Sequence, residues 1–175
     1  MNKEILLAAV SQHYLFAPLN TQQKQDLLAH SRVQSFAQGA IVFQKNSPAK
    51  AFYFVLEGGV RLYFSAPDGK EKTVRIFEAG DSFAEALMFM QRTSYPANAM
   101  TIAPSQLLAV DSAYYREMIV NNSALATALL GHCCEHIHQL SRQIEMLSVL
   151  DARSRFIEYI VKSAKKQNVI YRQNG

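Results

Sequence analysis

The stretch HCCEHIH, residues 132–138, gathers the chain's densest set of side chains able to do chemistry. It contains H-x-x-E-H (His132, Glu135, His136), the inverted form of a zinc-hydrolase pattern. On a helix, two histidines four residues apart share a face and can hold one metal ion. Against that reading, Cys133 falls on an apolar seam, and no third-ligand motif accompanies the pair. Cys133 and Cys134 point about 100° apart on a helix, so they cannot chelate as C-x-x-C does. Cys133 is better read as a small packing residue. With no Ser-His-Asp arrangement, Walker loop or dinucleotide fingerprint, neither a catalytic nor a metal site is expected, and the chain is not expected to be an enzyme.

A second stretch, GDSFAEALMFMQRTSYPANA at 80–99, runs glycine, acid, aromatic, glutamate, a short apolar turn, a polar loop and a small residue opening a strand. A buried phosphate would need a fixed cation and polar donors. Tyr95 and Pro96 supply neither, because a phenol is neutral at pH 7 and proline has no N–H. Met88, Phe89 and Met90 read as core, with the wall of an apolar-ligand pocket as the alternative.

These residues must be positioned by the elements around them. Residues 3–11 read as a short helix, and a second starts at Asn20 or Thr21, either of which can cap it. From Val33 to Asp111 the pattern is one of strands, with AIVFQKN, AFYFVLE, VRLYFSA, KTVRIF and ANAMTI rich in Val, Ile, Phe and Tyr. Gln38-Gly39, Asn46-Ser47-Pro48, Gly58-Gly59, Pro67-Asp68-Gly69 and Ala79-Gly80 punctuate them as turns. Short, evenly spaced strands imply a closed or rolled antiparallel sheet. From Ser112 the period turns helical. Ala126, Leu130, Cys133, Ile137, Leu140, Ile144 and Leu147 follow 4-3-4-3-4-3 spacing, a dimerisation seam over about three heptads. A second apolar face (Leu125, Leu129, Met146, Val149, Leu150) would pack back on the sheet. The fold class is α+β, mainly β: an antiparallel β-roll (a jelly-roll-like double-stranded β-helix) with short N-terminal helices and a long C-terminal dimerisation helix.

The order of these parts, with a GD-x-F-x-E turn and a Leu-Asp hinge at Asp151 into a basic helix, resembles the Crp/Fnr family of bacterial transcription regulators. That resemblance implies an effector-binding, cyclic-nucleotide-binding-like domain over residues 1–150, including a dimerisation helix at about 112–150. Residues 151–175 would be the hinge and first helix of a truncated or absent winged helix-turn-helix. By the same resemblance the effector cassette comprises Gly80, Phe83, Glu85, Ala86, Leu87, Tyr95, Pro96 and Ala97, with Leu140 and Ser141 from the helix. In cyclic-AMP-binding members the glutamate matching Glu85 holds a ribose hydroxyl, and an Arg-Ser pair, here Tyr95-Pro96, holds the phosphate. A Thr-Ser pair that reads the adenine falls here on Leu140-Ser141. Cyclic AMP is therefore not the expected effector, and Tyr95→Arg with Pro96→Ser should raise affinity for it. The alternative is a cyclic-nucleotide module with a rearranged cassette in which Arg92 serves the phosphate.

The wording FAEALMFM looks most like the dissimilatory nitrate respiration regulators, a subgroup linked to nitric oxide sensing through haem. Haem is thus the candidate cofactor, with His13 as the candidate axial ligand because it stands in the aromatic segment SQHYLF. No cysteine precedes Cys133, which excludes a four-cysteine iron–sulfur cluster. Residues 151–175 hold six Lys/Arg against two Asp/Glu, which equals the whole chain's net charge of +4. That basic end fits either DNA as a partner, if the chain continues into a helix-turn-helix, or a solvated helix face. No apolar run suits a membrane span, and two cysteines give no disulfide framework, so a cytoplasmic homodimer is expected.

Overall fold

The computed structural model describes residues 3–66 and 68–149. Helices α1 (Lys3–Ser11) and α2 (Thr21–Ala29) come first. Strands β1 (Ser31–Phe36), β2 (Ile41–Phe43), β3 (Ala51–Glu57), β4 (Gly59–Ser65), β5 (Glu71–Glu78) and β6 (Ser82–Phe83) follow. A five-residue helix α3 (Glu85–Phe89) then precedes β7 (Asn98–Thr101) and β8 (Ser105–Asp111). The last elements are α4 (Ser112–Val120) and α5 (Ser123–Val149). The chain divides into two compact units, Met1–Leu129 and Leu130–Gly175. The expected hinge at Asp151 and the basic helix after it lie outside the described residues, as do Leu150 and the side chains of Met146, Leu147 and Val149.

Of the two candidate caps for α2, Asn20 is the one used. Its side chain accepts from the Gln23 N–H at 2.8 Å while the Gln23 side chain accepts from the Asn20 N–H at 2.9 Å, a reciprocal capping box.

The first unit is built on two four-stranded antiparallel sheets, ordered β1-β8-β3-β6 and β2-β7-β4-β5. The run AFYFVLE explains why β3 lies inside its sheet. Successive side chains of a strand point to opposite faces, and here both faces are apolar. Phe52 and Phe54 join a core with Leu15, Phe16, Leu27, Leu108, Val110 and Tyr115, under the helices. Tyr53 and Val55 join Phe43, Val60, Phe77, Phe83, Tyr95, Ala99 and Leu107, drawn from both sheets, in the interior of the roll. Strand β8 divides in the same way, Leu107 to the roll and Leu108 to the helices. Tyr115, fully buried, donates its hydroxyl to the Leu15 carbonyl and ties α4 to the N-terminal segment.

The single long helix expected over about 112–150 is interrupted at Asn121-Asn122. Asn121 ends α4 in a non-helical conformation, and the Asn122 side chain accepts from the Leu125 N–H at 3.0 Å, capping α5. Asparagine side chains compete with the helical backbone for such bonds. Strands β1 and β8, helix α3 and the two-residue β6 have no counterpart among the named sequence runs; SRVQSF at β1 is mostly polar and exposed.

The turn between β3 and β4 is the most constrained. Gly58 has φ +83°, and a Cβ there would stand 2.3 Å from Ser105 Oγ and 2.4 Å from the Pro104 carbonyl oxygen. Gly39 has a similar φ of +76° but open space around it. Left-handed backbone costs an alanine roughly 1–2 kcal/mol at either position. Overpacking adds about 1–3 kcal/mol at Gly58 alone. In urea unfolding, Gly58→Ala should therefore lose clearly more stability than Gly39→Ala; equal midpoints would contradict the close approach.

Candidate functional site

The segment from Gly80 to Ala97 threads from one sheet to the other. Gly80, with φ +95°, donates its N–H to the Val55 carbonyl, and Val55 donates back to Asp81, which places β6 against β3. Ala84 follows in the left-handed region at φ +68°, and α3 opens at Glu85. Phe83 is buried in the roll, Leu87 packs on the same cluster from the edge, and Ala86 is exposed.

Tyr95 occupies the position where the sequence resemblance expects a cation. It is 3% exposed and stacks on Phe43 with ring centroids 3.7 Å apart and planes 7° from parallel. Its hydroxyl donates to the Ala51 carbonyl at 2.7 Å, and its backbone bonds Ser47 and Asn46. Burial, reinforced by the neighbouring Tyr53 phenol, pushes its pKa above the ordinary tyrosine value. The group is thus neutral at physiological pH and fixed at ring, tip and backbone. Pro96 is exposed, and Ala97 is buried just before β7.

Glu85 faces the N-terminal segment. One of its oxygens, Oε1, accepts from the Tyr14 hydroxyl at 3.2 Å; Oε2 is buried with no hydrogen-bond partner among the described residues. A buried carboxylate oxygen left unpaired is costly, and an O–H or N–H donor on a ligand would satisfy it. Next to Tyr14, His13 packs its half-buried ring against Tyr14, Phe16 and Phe54 at 4.5, 5.5 and 5.1 Å. Its Nδ1 lies 3.4 Å from the Leu15 N–H. The structure therefore brings the His13-Tyr14 pair to the start of the cassette, a proximity that a separation of 71 positions hides in the sequence.

Leu140 and Ser141 belong to the second unit. Both are exposed, and the Ser141 hydroxyl donates to the Ile137 carbonyl of its own helix. Along the same helix Leu130, Ile137, Leu140 and Ile144 are 65%, 62%, 45% and 65% exposed, and Cys133 is exposed with a free thiol. Leu125 and Leu129 are buried in the helix-covered core of the first unit. His132, Glu135 and His136 are all exposed, and no cluster of three or more His, Cys, Asp or Glu suited to a metal ion occurs among the described residues. No helix among them is long and apolar enough to cross a membrane.

One expectation needs correction. Met88 alone of Met88-Phe89-Met90 is core; Phe89 is 49% and Met90 60% exposed, because a five-residue helix turns only one of the three inward. Met88, Gln91, Arg92 and Thr93 line a cavity of about 630 Å³, together with residues near β3 and at the start of α4. None of Gly80, Phe83, Glu85, Ala86, Leu87, Tyr95, Pro96 or Ala97 lines it. Arg92 is directed there while Tyr95 fills the roll.

Residues 33–122 match the cyclic nucleotide-binding domain family. The chain is 35% identical to DNR from Pseudomonas aeruginosa, covering 93% of its own length and 71% of that chain, with a TM-score of 0.77. Against the separately solved sensor domain of that transcriptional regulator the identity is again 35%, over 85% of this chain and 97% of the domain, with a TM-score of 0.72. The cAMP-activated global transcriptional regulator CRP of Pasteurella multocida is 22% identical over 148 residues, 85% of this chain and 71% of that protein. The global nitrogen regulator of Synechococcus elongatus is 25% identical over 131 residues, of which this chain spans 59% of the relative's length. The relatives are regulators and not enzymes, and the chain belongs to the Crp/Fnr family of transcription regulators, with residues 33–122 as its cyclic nucleotide-binding domain.

Proposed function

We propose that this chain is the sensor and dimerisation part of a cytoplasmic Crp/Fnr-type regulator whose effector is not cyclic AMP. The observation that carries this reading is Tyr95: a buried, neutral, stacked ring where a phosphate would need a cation. Arg92, the residue that could replace that cation, lines a different cavity. Glu85, with one buried oxygen unpaired, supports a cassette that still receives a donor group from a ligand. The seam of exposed apolar side chains on α5 supports a homodimer, and the basic residues from Arg153 onward support DNA as the partner of the whole regulator.

Haem is the effector cofactor we carry forward from the resemblance of FAEALMFM to the dissimilatory nitrate respiration regulators. Its chemistry would be an iron able to take nitric oxide. A porphyrin iron needs an axial base and an apolar wall, and His13, packed on Tyr14, Phe16 and Phe54, offers both. Through the Tyr14–Glu85 bond, a change at His13 would reach the cassette.

Two titrations test the proposal. Reconstitution with haemin should give a Soret band distinct from free haemin, retained in His136→Ala and altered in His13→Ala. Free-haemin spectra from wild type would remove haem; an unchanged His13→Ala spectrum would remove only the ligand assignment. Calorimetric titration with cyclic AMP should show no micromolar binding, and a micromolar dissociation constant would overturn the exclusion of the nucleotide.

A further inference from the structure

The cavity of about 630 Å³ lies wholly within the first unit and falls in the range of small-molecule sites. Three cations line it: Lys50 before β3, Arg92 after α3, and Arg116 on α4. Asp111 is the one carboxylate in the lining, and its Oδ1 already accepts from the Tyr114 N–H at 2.9 Å. The ion pairs found among the described residues are Arg61–Glu71 and Lys70–Asp68, so none of the three cations has a described carboxylate within 4 Å. Exposed cations are usually just solvated. These three, however, come from segments far apart in sequence and are gathered round one concavity, where like charges repel and focus a positive potential.

The walls are held by the backbone. Ala49 donates to the Thr93 carbonyl at 2.9 Å, Ser112 to Lys50 at 3.0 Å, and Arg92 to Leu87 at 2.8 Å. Gln91 sits in the left-handed region at φ +53°, a conformation that costs a non-glycine residue free energy and here turns the chain into Arg92. Buried Met88 contributes an apolar surface, while Thr93 and Ser112 add hydroxyls to the lining. The Ser112 and Tyr114 amides at the start of α4 are already bonded, so the site depends on side chains and not on the helix end.

We propose that this cavity is a second ligand site, taking a small polyanion that bears phosphate or carboxylate groups. Two guanidinium forks and an ammonium suit at least two negative charges, and the Met88 surface suits a carbon skeleton between them. The site is separate from the roll interior filled by Tyr95 and owes nothing to haem.

Calorimetric titration of the chain at low ionic strength with inorganic pyrophosphate, and separately with citrate, tests it. Saturable one-site binding is expected for at least one of them. Preference for pyrophosphate would identify a phosphate ligand and preference for citrate a carboxylate one. Arg92→Gln and Arg116→Gln should each weaken binding at least tenfold, whereas Lys70→Gln, on an exposed turn beside Asp68, should leave it unchanged. These side chains are exposed, so the variants should fold as wild type, which circular dichroism checks. No saturable binding of either anion would overturn the proposal. So would unchanged affinity in both arginine variants, or an equal loss in Lys70→Gln, which would reduce the effect to net charge.

Discussion

Tyr95→Arg should lose several kcal/mol of stability and gain no affinity for cyclic AMP. Alignment with the family's motif makes this substitution look like the repair of a phosphate site, and the packing around the residue reverses that expectation. Tyr95 is buried between the sheets, stacked on Phe43 and grouped with Tyr53, Phe77 and Phe83. Removing a buried aromatic costs about 3–5 kcal/mol. An unpaired guanidinium in its place leaves an uncompensated charge, worth roughly another 3–5 kcal/mol. Together these approach the 5–15 kcal/mol or so that holds a domain folded. Tyr95→Phe is the control. It keeps the stack and loses the hydroxyl's bonds to the Ala51 carbonyl and the Tyr53 phenol, each a net contribution of about 0.5–1.5 kcal/mol. Urea unfolding should order the three proteins wild type, Tyr95→Phe, Tyr95→Arg, the last far below the others. Cyclic AMP should not raise the midpoint of Tyr95→Arg, or of the double variant with Pro96→Ser, because only a ligand bound to the folded state stabilises it. An arginine variant as stable as the phenylalanine one would mean that the roll has room for the cation, and the nucleotide reading would regain its ground.

The contrast shows what local pattern can and cannot carry. AFYFVLE and VRLYFSA read as strands because β-branched and aromatic residues favour a pleated surface, and β3 and β4 fall on them. Gly39, Gly58, Gly69 and Gly80 read as turns, and all four hold positive φ, the conformation for which glycine is used. Such signals live within a few residues of chain. Strand β1 escaped because SRVQSF shows its apolar residues on no consistent face, and only pairing with β8 makes it a strand. The break at Asn121-Asn122 was legible in principle, since two asparagines and a serine make a strong cap signal, but the apolar residues on both sides hid it. The site was harder still. That Tyr95 lacks a charge is visible in the sequence; that its ring closes the roll is not, because Phe43 lies 52 positions away. Lys50, Arg92 and Arg116 meet round one cavity only through the packing of β3, α3 and α4.

In the homodimer proposed above, replacing Ile137 or Ile144 by glutamate should leave monomer or aggregate. Both residues are more than 60% exposed, as is Leu130, and with Cys133 and Leu140 they repeat at alternating intervals of three and four. A sustained apolar stripe of this kind on a helix surface marks a surface that is covered in the assembled protein. Burying an isoleucine is worth roughly 1.5–3 kcal/mol, and a symmetric interface contains each position twice. The substitution removes both gains and sets two carboxylates against each other in a desolvated seam, so the dissociation constant should rise by at least about a hundredfold. Glu135 lies on the opposite side of the helix from the seam, and Glu135→Ala should sediment as wild type. Sedimentation velocity at tens of micromolar reads the outcome, and a monomeric wild type would refute the seam. The direction of the two helices has its own readout. In a parallel, in-register pair every seam residue faces its copy, so Cys133 of one protomer meets Cys133 of the other. Mild oxidation should then link the dimer covalently, and Cys133→Ser should remain dimeric while resisting the link. In an antiparallel pair Cys133 would face a different level of the helix, so wild-type dimers that fail to cross-link would discard the parallel arrangement while leaving the seam itself intact.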